Sequence, residues 1–124
     1  MFKIQEPSEE VEYILAAISY LPFVALILIF TSWKKHLFVK YHAAHAITIY
    51  LLSFLLLISY LIVFMLINLV FGSNFNVNIL CGLIITLHFL LHFIYVFYLS
   101  SQAYSGRYLI IPLVTKLYYK IFNK

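Results

Sequence analysis

Long apolar stretches separated by short polar ones set the pattern of this chain. A polar opening of about twelve residues holds all four acids, Glu6, Glu9, Glu10 and Glu12. Residues 11–30 are then predominantly apolar, and residues 31–40 form a basic loop with Trp33 at its edge. Residues 41–71 and 77–99 are apolar again, parted by Gly72-Ser73-Asn74-Phe75-Asn76. A helix crosses about 30 Å of hydrocarbon with about 20 apolar residues, and each of the three stretches is long enough. The pattern predicts an all-α membrane protein, a single integral membrane domain over 1–124. Its transmembrane helices are expected over about 11–30, 41–71 and 77–99.

Pro22 falls in the middle of the first span. Proline removes one backbone hydrogen bond and pushes on the preceding turn, so a kink is expected near Ser19-Tyr20. In lipid the freed carbonyl needs a partner, and the Ser19 hydroxyl is the nearest candidate. The simpler reading is a kinked spanning helix; the alternative is two half-helices forming a re-entrant hairpin. The second span, at ~46 Å, exceeds the hydrocarbon core and must tilt or project into an interface. The turn at 72–76 is too short to be more than a tight link between antiparallel helices.

The tail restarts after Ser100-Ser101-Gln102 and Gly106. Leu113, Val114, Leu117, Tyr118, Ile121 and Phe122 recur at one helical face, and Lys116, Lys120 and Lys124 at another. This predicts a C-terminal interfacial amphipathic helix over about 113–122, too short to span. At the other end, Ser8 is placed to cap a helix with Glu9 and Glu10 in its first turn. The acidic leading segment, with no small-residue cleavage site after the apolar run, does not read as a cleaved signal peptide.

Composition strengthens the membrane assignment. The chain has 124 residues, 65% hydrophobic and 10% charged, with a mean hydropathy of +1.04. A soluble domain carries about 25% charged residues, and no soluble fold this small buries so much apolar side chain. The single Cys81 excludes an intrachain disulfide and a multi-cysteine metal site. The net charge of +4 gathers in clusters that flank spans instead of forming a face, so nucleic acid is not an expected partner. The positive-inside rule places the loop (Lys34, Lys35, Lys40) and the tail (Arg107, Lys116, Lys120, Lys124) on the cytoplasmic side or its organellar equivalent. The N-terminus is outside if the first span crosses, and inside if it is re-entrant. A bacterial inner membrane or an organellar inner membrane is the expected location, with the lipid bilayer as a partner. Lys34, Lys35, Lys40, Arg107, Lys116 and Lys120 are candidates for lipid headgroup contact, about 1 kcal/mol per cation near an anionic surface. Topology determination alone also accounts for them.

Histidine is the remaining source of chemistry. His45, Thr48 and Ser59 share one face of the second span. Cys81, His88, His92 and Tyr95 share one face of the third. His45 and His92 sit at similar depths in antiparallel helices, so the two stripes are expected to meet in a polar seam. The structural reading is neutral histidines bonding hydroxyls across the helices, about 0.6 kcal/mol each. The chemical reading is a proton relay or a metal site, with His45, His88 and His92 as the candidate ligands. No carboxylate stands near to complete or orient that set. His88-Phe89-Leu90-Leu91-His92 lacks the glutamate of a zinc peptidase helix. The chain has no Asp, so no Ser-His-Asp set forms, and it has no glycine-rich phosphate loop. No catalytic residue and no cofactor are expected, and an enzyme is not.

Two motifs extend the reading. Lys35-His36-Leu37-Phe38-Val39-Lys40-Tyr41-His42-Ala43-Ala44-His45-Ala46 resembles the "pFVrfHAkQa" signature of a family of small bacterial membrane proteins of unknown function. Leu15-Ala16-Ala17-Ile18-Ser19-Tyr20-Leu21-Pro22-Phe23 matches that family's "LAaLsYlp" opening. Ala103 to Tyr108 with Ile111-Pro112-Leu113 resembles its closing "A..G..y..Pl". The family is related to the twenty-kilodalton subunit of the chloroplast inner-envelope import translocon and includes the magnetosome membrane proteins MamF and MmsF. The resemblance implies an all-helical membrane protein with signature residues Tyr20, Pro22, Phe38, His42, Ala43, Ala46, Gly106 and Pro112. It supplies no catalytic residue. His45 departs from the pattern, where glutamine is usual.

Two functions are consistent with these features. One is a non-enzymatic multi-pass protein that assembles with other membrane proteins or with itself as a structural component of a complex. The other is a transport or protein-translocation component, with a histidine-lined path for protons, metal ions or polypeptide.

Overall fold

The computed structural model describes residues 9–122, and these are helical throughout with short connections. The elements are α1 (Glu9–Ile18), α2 (Val24–Phe30), a 3-10 turn (Ser32–Lys35), α3 (Leu37–Phe71), α4 (Phe75–Tyr104) and α5 (Pro112–Phe122). Lys3, the expected cap Ser8 and the last lysine of the tail, Lys124, lie outside the described residues. α3 and α4 are each long and apolar enough to cross a membrane. The chain divides into two compact units. One comprises the stretch up to Ile49 together with that from Val96 onward, and the other is Tyr50–Tyr95.

The expected first span is not one helix. α1 has 10 residues and α2 has 7, about 15 Å and about 10 Å long, and neither alone reaches across hydrocarbon. Pro22 supplies the reason: it cannot continue the hydrogen-bond ladder, and Phe23 beyond it takes a left-handed φ of 67°. The carbonyls that α1 leaves open are all taken. Leu15 accepts from the Ser19 N–H at 3.0 Å and Ala16 from the Ser19 hydroxyl at 2.6 Å. Ala17 accepts from the Ser100 hydroxyl at 2.8 Å, and Ile18 from the Leu21 N–H at 3.0 Å. A helix end can lie away from water only when such partners exist.

The two short helices double back. Glu12 near the start of α1 accepts from His36 just beyond α2, Oε1 to Nδ1 at 3.1 Å. Tyr13 meets Phe38 edge-on at 5.2 Å, and Tyr20 meets His42 two turns further along. α1 therefore runs beside the first turns of α3, and α2 returns to where α1 began. This is a helical hairpin, the alternative arrangement for this stretch, in place of a continuous kinked helix.

α3 begins at Leu37, earlier than expected, because Phe38 and Val39 are buried and draw residues of the basic loop into the helix. α4 extends past the expected end, through Ser100–Tyr104, with Leu99 and Ala103 buried. It stops at Gly106, whose φ is 72°. The Gly106 N–H bonds the Ala103 carbonyl at 3.0 Å and the Arg107 N–H bonds the Gln102 carbonyl at 3.1 Å. That is the Schellman arrangement, which needs a residue at ease with positive φ. A Cβ there would also lie 2.9 Å from Tyr13 Cζ. α5 starts on Pro112, where proline's missing N–H costs nothing.

In the unit Tyr50–Tyr95, half-buried side chains recur every three or four residues. They include Ser53, Leu57, Tyr60, Phe64 and Ile67 on α3, and Cys81, Ile85, His88 and His92 on α4. That spacing makes the seam of an antiparallel helix pair. Gly72, at φ 76°, turns the chain. Asn74 then caps α4, its Oδ1 accepting from the Asn76 N–H at 2.9 Å. Most other large apolar side chains of this unit are exposed, among them Leu55, Leu61, Leu66, Leu83, Leu90 and Phe93.

Candidate functional site

The first turns of α3 carry three of the five buried polar side chains, His42, His45 and Thr48. His42 and His45 are almost without exposure, in a wall formed by Ala43, Ala44 and Ala46. Alanine at these positions lets neighbouring segments approach the α3 backbone. Both ring nitrogens of each histidine have a partner, and the partners define the tautomers. His42 Nε2 lies 3.0 Å from the Arg107 carbonyl, which can only accept, so Nε2 carries the hydrogen. His42 Nδ1 then accepts from the Tyr20 hydroxyl at 3.0 Å. His45 Nδ1 donates to the Tyr41 carbonyl at 2.8 Å, and its Nε2 accepts from the Thr115 hydroxyl at 2.9 Å. Thr115 Oγ1 in turn accepts from the Ile111 N–H at 2.9 Å. The Tyr41 hydroxyl donates to the Leu109 carbonyl.

Together these bonds tie the segment between α4 and α5, and α5 itself, to α3. Rings fill the space between. Phe38 lies 4.6 Å from His42 and 4.9 Å from Tyr108, both edge-on. Tyr118 contacts Tyr41 at 5.3 Å, and Tyr41, Ala44, Tyr118 and Ile29 pack as a small core. Edge-on aromatic pairs add about 0.5–1.5 kcal/mol beyond their buried area. Burial pushes the phenols of Tyr108 and Tyr118 up, with repulsion from Glu12 adding at Tyr108 and from Tyr119 at Tyr118. Both histidines thus spend their ring nitrogens on bonds that hold segments of the chain together.

The resemblance residues converge on this place. Tyr20, Phe38 and the carbonyl of the residue after Gly106 each contact His42, Ala43 and Ala46 are buried, and Pro112 opens the helix that carries Thr115. Sequence reading missed Thr115, Tyr41 and Tyr108. Thr115 was detectable as the one aliphatic hydroxyl on the α5 side that carries Val114 and Tyr118. Nothing local marks the carbonyls of Arg107 and Leu109.

The remaining candidates lie in the other unit. His88 Nε2 pairs with the Ser53 hydroxyl at 2.9 Å. The His88 and His92 rings stack, 6.4 Å between centroids and 11° between planes, and His92 meets Tyr50 edge-on at 4.9 Å. His45 and His92, expected in one seam, thus take different partners. Thr48 bonds the Ala44 carbonyl of its own helix, and Ser59 bonds that of Leu55. Among the described residues, no group of three or more of His, Cys, Asp or Glu is placed to hold a metal ion. The candidate headgroup residues lie on the first unit: Lys34, Lys35, Arg107, Lys116 and Lys120 are exposed and Lys40 is half-buried.

A scan against protein-family models finds no match to this chain, and searches of curated proteins and of solved structures find none.

Proposed function

We propose that this chain is a non-enzymatic multi-pass membrane protein that serves as a structural component of a membrane assembly, with other membrane proteins or further copies of itself as partners. One observation carries the reading. The conspicuous polar groups, His42 and His45, are bonded at both nitrogens to the chain itself, which suits scaffolding and not turnover. The likeness to the translocon-related family, held by residues that meet around His42, supports it. In a membrane, α3 and α4 cross, and the exposed leucines and phenylalanines of Tyr50–Tyr95 face lipid. The positive-inside rule favours the cytoplasmic side of a bacterial inner membrane, or the equivalent side of an organellar one, for the segments that carry the cations. The α1–α2 hairpin dips in and returns, so the N-terminus shares that side, and α5 lies at the interface.

Affinity purification in mild detergent tests the assembly. Stoichiometric recovery of another membrane protein, or of a defined oligomer, is expected, and a lone monomer under all mild conditions defeats it. For topology, Ser73→Cys and Ser105→Cys in a Cys81→Ser background should label from opposite sides. Labelling of both from one side would refute the arrangement.

The second reading, a transport or translocation component, draws on the stacked His88 and His92. Ionisable side chains in the middle of a crossing helix commonly mark a path. Vesicles holding the purified chain and a trapped pH dye decide it: proton flux that His88→Leu and His92→Leu both abolish would favour transport over scaffolding.

A further inference from the structure

All eight formal cations of the sequence lie outside residues 50–95, which contain no Lys, Arg, Asp or Glu at all. Six of them are described: Lys34 and Lys35 in the 3-10 turn, Lys40 in the first turn of α3, Arg107 after α4, and Lys116 and Lys120 on α5. None of the six is paired with a carboxylate of the described residues. Among the described residues the ion pair present is Glu12 with His36, which engages one of the three described acids without a lysine or arginine. The Arg107 guanidinium donates to the neutral Gln102 side-chain amide, Nη1 to Oε1 at 3.3 Å. On α5, Val114, Thr115 and Tyr118 turn inward, which leaves Lys116 and Lys120 on the open side with Leu113. Exposed apolar side chains accompany the other cations as well: Phe30 at 82%, Leu37 at 75% and Ile110 at 80% exposed.

Unpaired cations beside bare apolar side chains match one environment, the boundary where phosphates lie over acyl chains. A purely aqueous acidic partner would leave Phe30, Leu37 and Ile110 in water. We propose that this surface binds anionic phospholipid and selects it over zwitterionic phospholipid. A phosphodiester with no compensating ammonium gains from every unpaired cation, whereas phosphatidylcholine presents its own positive group to them. The inference rests on the membrane reading above, and the experiment separates the two.

Trp33, the chain's single tryptophan, sits among these cations, with its ring 5.2 Å from that of His36. It reports on the lipid next to it. The full chain is reconstituted in phosphatidylcholine vesicles containing a fixed minor fraction of bromine-labelled phospholipid, either phosphatidylglycerol or phosphatidylcholine. Quenching of Trp33 by the labelled phosphatidylglycerol should be about twofold stronger, and the preference should shrink in ~1 M salt, where screening reaches within about 3 Å. Replacing Lys34, Lys35 and Lys40 together by Gln should bring the two lipids level. Lys116→Gln with Lys120→Gln should reduce the preference from the far side of the surface. Equal quenching by both lipids in the native chain overturns the proposal while leaving the membrane reading intact. Absence of quenching by either overturns both. Loss of the preference on adding inorganic phosphate at constant ionic strength would show a phosphate site instead of a lipid surface, and overturns it too.

Discussion

The two units solve the problem of polar groups in different ways. The first gathers all the formal charge and buries five polar side chains, Ser19, His42, His45, Thr48 and Thr115, each with a hydrogen bond inside the unit. Residues 50–95 carry no formal charge, bury no polar side chain fully, and leave most leucines and phenylalanines exposed. One is organised by its own interior. The other is organised by a seam of half-buried residues and presents an apolar outer surface. Histidine shows the contrast best: His42 is held by two partners from distant segments, while His88 makes one bond to a serine on the adjacent helix. The same side chain acts as a clamp in one unit and as a register pin in the other.

The sharpest test compares those two histidines. His42→Leu removes the bonds to the Tyr20 hydroxyl and to the Arg107 carbonyl, and a buried group that loses its partner costs about 1–3 kcal/mol. His88→Leu across the seam should cost about 0.6 kcal/mol. Thermal unfolding in one detergent measures both, and equal shifts would erase the distinction between the units. His42→Gln should fall between wild type and leucine, because an amide keeps part of the bonding.

The glycines give a second matched pair. Gly106→Ala meets both a left-handed backbone and the Tyr13 ring, and the backbone term alone costs about 1–2 kcal/mol. Gly82→Ala meets nothing within 4 Å in mid-helix and should stabilise by about 0.5–1 kcal/mol. Adding Tyr13→Ala to Gly106→Ala should restore only the steric part of the loss. Opposite signs for the two alanines are the expected result in the same melting assay.

Smaller effects refine the first unit. Glu12→Gln weakens a partly exposed pair, and about 0.2–1 kcal/mol is expected. Its value lies in the hairpin: an added cross-link between Glu12→Cys and His36→Cys in a Cys81→Ser background should form readily, and failure to form would show that the ends of α1 and α2 do not meet. The smallest effect is in pH. Burial raises Tyr108 and Tyr118, so the stability they contribute is complete below the ordinary phenol range near 10 and is lost as pH rises through their folded values. Melting curves at rising alkaline pH should fall less steeply in Tyr108→Phe than in the native chain.

Length and apolarity alone determined the all-helical class, the two long helices, the turn at Gly72 and the helix in the tail. Each of these depends on neighbours within a few residues: an unbroken apolar run, a glycine that accepts positive φ, a proline at a helix start. Pro22 also announced a break locally, but not its outcome. Whether the chain continued across or turned back depended on Glu12 meeting His36 and on Tyr13 meeting Gly106, contacts between residues far apart in sequence. The histidines divide in the same way. Their presence in apolar helices marked them as bonded groups, because an unpaired imidazole in hydrocarbon is too costly to persist. Their partners came from the Arg107 carbonyl, 65 residues from His42, and from the Thr115 hydroxyl, 70 residues from His45. Helical periodicity reports which way a side chain points. It does not report which distant segment arrives there, and that is decided only when the chain closes on itself.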